Sequence, residues 1–75
     1  MDYDKLMSME KGDIFYEHGY GMTVRYTVTI PATKTYSESL QKNQYEWEGI
    51  SDDGVTISFL KTQGMEHYGP DIEFE

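Results

Sequence analysis

The sequence contains no cysteine. Neither a disulfide nor a thiolate metal site can form, and a reducing compartment is the expected setting. Basic residues are scarce, with six Lys and Arg against 14 Asp and Glu and a net charge of −8. Gripping a phosphate backbone takes clustered Lys and Arg. Arg25 and five scattered lysines do not supply that, so no direct nucleic acid binding is expected. No apolar run approaches membrane-spanning length, and the first residues lack the apolar core of a signal peptide. A soluble, cytoplasmic protein with no membrane partner is expected. Nucleophile motifs and glycine-rich phosphate loops are missing too: Ser37, Ser39, Ser51 and Ser58 stand in no catalytic pattern. The Asp52–Asp53 pair falls in an exposed turn that neither desolvates nor fixes it for acid–base work. No catalytic residue, enzyme activity or cofactor is expected.

Seventy-five residues make one small β domain, 1–75. A chain of this size buries only about 60% of its unfolded surface. Aromatics make up 15% of it, and seven of the eleven are Tyr. Large rings let a thin core do the work of many small side chains.

The clearest local signal runs from Tyr45 to Leu60. Tyr45 and Trp47 alternate with Glu46 and Glu48, and Val55, Ile57 and Phe59 alternate with Thr56 and Ser58. Period two is the mark of half-buried strands. Ser51-Asp52-Asp53-Gly54 between them suits a tight turn with Gly54 at positive φ. Trp47 is expected as a central core ring, with an exposed interface anchor as its rival role.

The rest of the chain supports further strands. Asp13–Glu17 reads as the first and His18-Gly19-Tyr20-Gly21 as a turn. Met22–Ile30 reads as a long second strand with Met22, Val24, Tyr26, Val28 and Ile30 inward, ended by Pro31. Residues 31–44 read as a polar connection. Within it, Thr35–Glu38 matches a helix capping pattern and Leu40 faces inward, leaving a helical turn and a loop both open. Lys61–Gly64 reads as a turn, and Asp71–Glu75 as a closing edge strand with Ile72 and Phe74 inward. Residues 1–12 place Tyr3, Leu6 and Met7 at helical spacing, with Asp2 as cap and Gly12 as stop. Helix and loose arm stay open there. The predicted fold class is mainly β: a small five-stranded antiparallel bent sheet or SH3-like barrel with a short N-terminal helix as an option. Lys11-Gly12-Asp13-Ile14, followed by a glycine-bearing loop, resembles the first strand of an SH3-like barrel.

His18 and His67 each follow a Glu and could meet over a metal only if distant loops converged. The spacing does not demand it, and ordinary turn histidines are expected, with no metal. The carboxylates are the stronger candidates for function. Glu46 and Glu48 project from one strand face, Asp52 and Asp53 crown its turn, and Asp71, Glu73 and Glu75 project from the closing strand. Carboxylates two residues apart on one face are separated by about 6.6–7 Å, a spacing like that of successive phosphates. Tyr20, Tyr36 and Tyr68, expected in loops, would add contact area. The natural partner of such a surface is a basic protein surface. The alternative is that acidity only solubilises the domain.

Trp47-Glu48-Gly49, Ile57-Ser58-Phe59-Leu60, Glu66-His67-Tyr68-Gly69-Pro70 and Tyr20-Gly21-Met22 together resemble small uncharacterised accessory proteins of tailed bacteriophages. The resemblance spans about two-thirds of the chain and rests on structural motifs. It implies expression in the cytoplasm of an infected bacterium. It also implies inhibition of host machinery of the anti-restriction or anti-CRISPR kind, in which some proteins mimic nucleic acid. No catalytic or binding residue carries over. The expected partner is then a host protein with a basic surface, such as a nucleic-acid-binding defence enzyme. The alternative is a structural or adaptor subunit that binds through an apolar face formed by Met22, Trp47 or the tyrosines. A homodimer belongs to that second reading.

Overall fold

The computed structural model describes residues 1–75. A helix, α1 (Tyr3–Ser8), precedes five strands: β1 (Ile14–Gly19), β2 (Met22–Ser37), β3 (Lys42–Ser51), β4 (Thr56–Thr62) and β5 (Asp71–Phe74). All neighbours are antiparallel, in the order β4-β3-β2-β1-β5. β4 and β5 do not pair, so the sheet is open and the closed SH3-like barrel does not form. It is nevertheless strongly bent. In a flat sheet β4 and β1 would lie three strand spacings apart, about 14 Å. Here Phe59 of β4 meets Phe15 of β1 edge to face with ring centroids 5.1 Å apart.

Two irregularities in β2 produce part of that bend. Its register against β3 shifts between Val28 and Ile30 and again between Ile30 and Thr33. Each shift is a β-bulge, where an extra residue sharpens the local twist. Pro31 sits at the second one, where a missing N–H costs no ladder bond. It therefore does not end the strand, which runs on to Ser37. The polar connection read over residues 31–44 is corrected accordingly. Ser37 pairs with Lys42, and the turn is confined to the residues between them, without a helical turn. Leu40 is exposed there rather than inward. The first hairpin is also tighter than read: His18 and Gly19 belong to β1, Gly19 pairs with Met22, and Tyr20 and Gly21 alone make the turn. Both take positive φ, 53° and 71°, which matches the twist of the flanking strands.

The Tyr45–Leu60 hairpin is as expected. The Gly54 N–H donates to the Ser51 carbonyl at 2.9 Å, with Gly54 at φ +87°. Tyr45 and Trp47 face inward, each 3% exposed. Val55 and Ile57 share Phe59's face but lie beyond the core, and both are exposed. Met22 and Ile30 are exposed as well, against expectation; the bulge at Thr29 turns Ile30 to the outer face beside Glu48. β4 extends through Lys61 and Thr62, so the expected turn over Lys61–Gly64 starts only after Thr62.

On the inner face Phe15, Tyr26, Trp47 and Phe59 form one aromatic cluster with ring separations of 5.0–6.0 Å. Gly49 on β3 lies directly beneath it. A methyl group there would come within 2.7 Å of the Phe15 ring, which is fully buried and cannot move aside. Gly49→Ala is expected to cost about 1–3 kcal/mol of overpacking. Thermal unfolding should then fall by about 4–8 °C per kcal/mol in a domain this small.

The short helix packs on the inner face of the sheet against β2, with Leu6 in the core. Asp2 caps it by accepting from the Lys5 N–H at 3.0 Å, and it ends at Ser8, ahead of the expected stop at Gly12. Leu6 is fully buried, and Tyr3 stacks on Tyr45 at 4.4 Å. The Lys5 ammonium donates to the Phe74 carbonyl of β5 at 3.2 Å. The Tyr3 hydroxyl donates to Glu66 at 2.5 Å, and the Gly64 N–H donates to the same carboxyl at 2.9 Å. These donors hold Glu66 down to about 2, against an ordinary 4.5. A depressed carboxylate stabilises the fold above its unfolded pKa, and that contribution is lost as pH falls through the folded value. Melting temperature should therefore drop between about pH 4.5 and pH 2. Glu66→Gln should flatten this part of the profile; an unchanged profile would remove the assignment. From the other side, the Lys61 ammonium reaches across to the Pro70 carbonyl at 2.6 Å and ties β4 to the segment before β5. No helix is long and apolar enough to cross a membrane.

Candidate functional site: the outer face of the sheet

Side chains alternate across the sheet, so burying Tyr45, Trp47 and Gly49 forces Glu46 and Glu48 onto the outer face. The same alternation sends Ile72 and Phe74 inward and Asp71 and Glu73 outward. No layer covers this outer face. Of the seven candidate carboxylates, Glu46, Glu48, Asp71 and Glu73 thus share one side of one sheet. β3 and β5 are separated by β2 and β1, so the two acidic rows lie three strands apart across the sheet.

Several of these groups are held in place. Glu48 accepts from the Thr29 hydroxyl at 2.5 Å, a contact created by the bulge. Asp52, in the β3–β4 turn, takes the Arg25 guanidinium at 2.9 Å. That carboxylate is the main reason the guanidinium's pKa lies above its ordinary value. Glu73 receives His18 Nε2 at 2.7 Å, while His18 Nδ1 and the Thr23 hydroxyl share a hydrogen bond of 2.9 Å. Tyr16 donates to Glu75 at 3.5 Å, at the limit of a hydrogen bond. Asp53 and Asp71 are exposed and make no ion pair. Inside the sheet, burial and then a hydrogen bond to Glu17 raise the pKa of the Tyr26 hydroxyl. That pair is structural.

Next to the bulges the outer face is hollowed. A depression of about 400 Å³ is bordered by Ile30, Thr33, Glu46, Glu48, Ser58 and Leu60. Cross-strand register explains the grouping: Glu46 lies opposite Thr33 and Leu60, and Glu48 opposite Ile30 and Ser58. Ile30 and Leu60 are each 54% exposed, large apolar surfaces beside two carboxylates. The sequence did not reveal this hollow, because the bulge that turns Ile30 outward has no period-two signature.

The three candidate tyrosines do not form one surface. Tyr20 is 98% exposed at the β1–β2 turn, beside Gly19, which packs on Pro70. Tyr68 precedes Pro70 by two residues and packs against His67 at a tilt, with centroids 4.1 Å apart and ring planes at 41°. Tyr36 lies at the far end of β2. His18 and His67 do not converge: His18 is engaged by Glu73 and Thr23, and His67 by Tyr68. No group of three or more His, Asp or Glu side chains is arranged to hold a metal ion. Trp47 belongs to the core, and the interface-anchor role falls away.

The fold and this face define a small bent β-sheet domain with one covered and one open side. No family model, no curated protein and no solved structure matches the chain.

Proposed function

We propose that this protein is a non-enzymatic inhibitor whose acidic outer face covers a basic, nucleic-acid-binding surface on another protein. One observation carries the reading. The uncovered side of the sheet holds two rows of carboxylates, and the row on β3 flanks a hollow with exposed Ile30 and Leu60 at its rim. A long cationic side chain fits such a place: its methylenes lie on Ile30 and Leu60, and its charge reaches Glu46 or Glu48. Contacts already made by Thr29, His18 and Arg25 fix carboxylates before binding, which lowers the ordering cost of association. A standard interface takes about 800 Å² from each partner, and the protein exposes 4967 Å² in all. The resemblance to bacteriophage accessory proteins supplies the setting, an infected bacterium, and a defence enzyme as the partner class. Of the residues that the adaptor alternative calls on, Trp47 is buried and Tyr36 lies apart from Tyr20 and Tyr68, while Met22 is exposed.

The test is binding to a captured nucleic-acid-binding protein at rising salt. Screening of exposed charges should weaken it steadily. Binding that persists at high salt and after neutralisation of Glu46, Glu48, Asp71 and Glu73 would overturn the proposal.

A further inference from the structure

The two edges of the open sheet are built differently. β5 has four residues, and it exposes Asp71 and Glu73, with Glu75 following. Charge and shortness are standard guards of a sheet edge. Pairing of β5 with a second β5 would set carboxylate against carboxylate. β4 has seven residues, Thr-Ile-Ser-Phe-Leu-Lys-Thr, and no acidic one. Its only charge, Lys61, is turned inward and held by the Pro70 carbonyl at 2.6 Å.

The hydrogen-bond phase of β4 is set at both ends. The Ser51 N–H donates to the Val55 carbonyl at 2.8 Å, and the Gln63 N–H donates to the Asn43 carbonyl at 2.9 Å. Antiparallel pairing alternates along a strand. Ile57, Phe59 and Lys61 therefore turn their backbone groups toward β3, while Thr56, Ser58 and Leu60 turn theirs off the edge. Those three residues offer N–H and C=O groups to no other strand.

We propose that β4 pairs antiparallel with β4 of a second copy of this chain, centred on Ser58. Ser58 then opposes its own equivalent across a two-fold axis and exchanges both backbone bonds with it. Thr56 of one copy opposes Leu60 of the other, in both directions, so the pattern is self-complementary. On the inner face the pairing covers Ile57, 36% exposed, and on the outer face it sets Thr56 of the second copy beside Leu60, at the rim of the hollow, leaving the hollow itself open. It extends the sheet from five strands to ten and joins the two acidic faces. Each copy carries a charge of −8. Salt screens their repulsion, so the dimer tightens as salt rises, the opposite of the response expected for a basic partner.

Sedimentation from micromolar to millimolar concentration, together with amide exchange on the wild-type protein, tests this. The Thr56, Ser58 and Leu60 amides should exchange slowly in concentrated solution and fast in dilute solution. Ser58→Pro should weaken association by about tenfold or more, since it removes the central donor from both copies. It leaves the β3 ladder intact, because the Ser58 N–H takes no part in it. Buried Trp47 fluorescence reports whether that variant folds, and wild-type exchange decides if it does not. A monomer at every concentration, or a dimer in which these three amides exchange as fast as in the dilute protein, would overturn the proposal.

Discussion

Phe15→Ala is expected to remove a large part of the fold's stability. The ring is fully buried and meets Tyr26, Phe59 and Trp47 with centroids 5.2, 5.1 and 6.0 Å away. It joins β1 to β4 across the bend and roofs Gly49. Truncating a buried Phe costs about 3–5 kcal/mol. At about 0.05–0.15 kcal/mol per residue, this chain holds about 4–11 kcal/mol in total. The variant should melt about 12–40 °C lower than the wild type. Trp47 fluorescence follows it directly, since Trp47 is 3% exposed in the folded protein. A shift of only a few degrees would mean that the core is organised around other residues.

The second large effect falls on binding. Glu46→Lys combined with Glu48→Lys reverses both charges beside the hollow. Each exposed carboxylate contributes up to about 1 kcal/mol to an ion pair. Reversal replaces that attraction with repulsion of similar size, so the two changes together cost up to about 4 kcal/mol, at most roughly a thousandfold in affinity. Both side chains lie on the open face, so melting temperature should change little. Glu48→Lys also loses the Thr29 bond, so Thr29→Val serves as its control. A double variant that binds as tightly as the wild type would detach the hollow from function.

How much could be read in advance depended on phase. In the Tyr45–Leu60 hairpin no residue is inserted, so alternation alone places Trp47 and Phe59 inward and Glu46 and Glu48 outward. The same holds for Asp71–Phe74. In β2 the bulges at Thr29 and Pro31–Ala32 reset the alternation twice. Ile30 consequently reads as inward but is exposed. Residues Thr33–Tyr36 read as a loop because that part of β2 projects past the core with both faces wet. Local pattern does not decide the helix, because six residues cannot hold a helix alone. Packing of Leu6 and Tyr3 against the core decides it. In the site, the facing of the acidic rows followed from local pattern. The Arg25–Asp52 and His18–Glu73 contacts span 27 and 55 residues, and only the sheet order brings them together.

The most direct test of the inhibitor reading is capture by the immobilised protein from bacterial lysate. It is run at low salt, at high salt, and at low salt with added duplex DNA. The expected result is a nucleic-acid-binding protein retained at low salt, released by high salt and displaced by DNA, because both compete for the same basic surface. Retention that ignores both salt and DNA would contradict it.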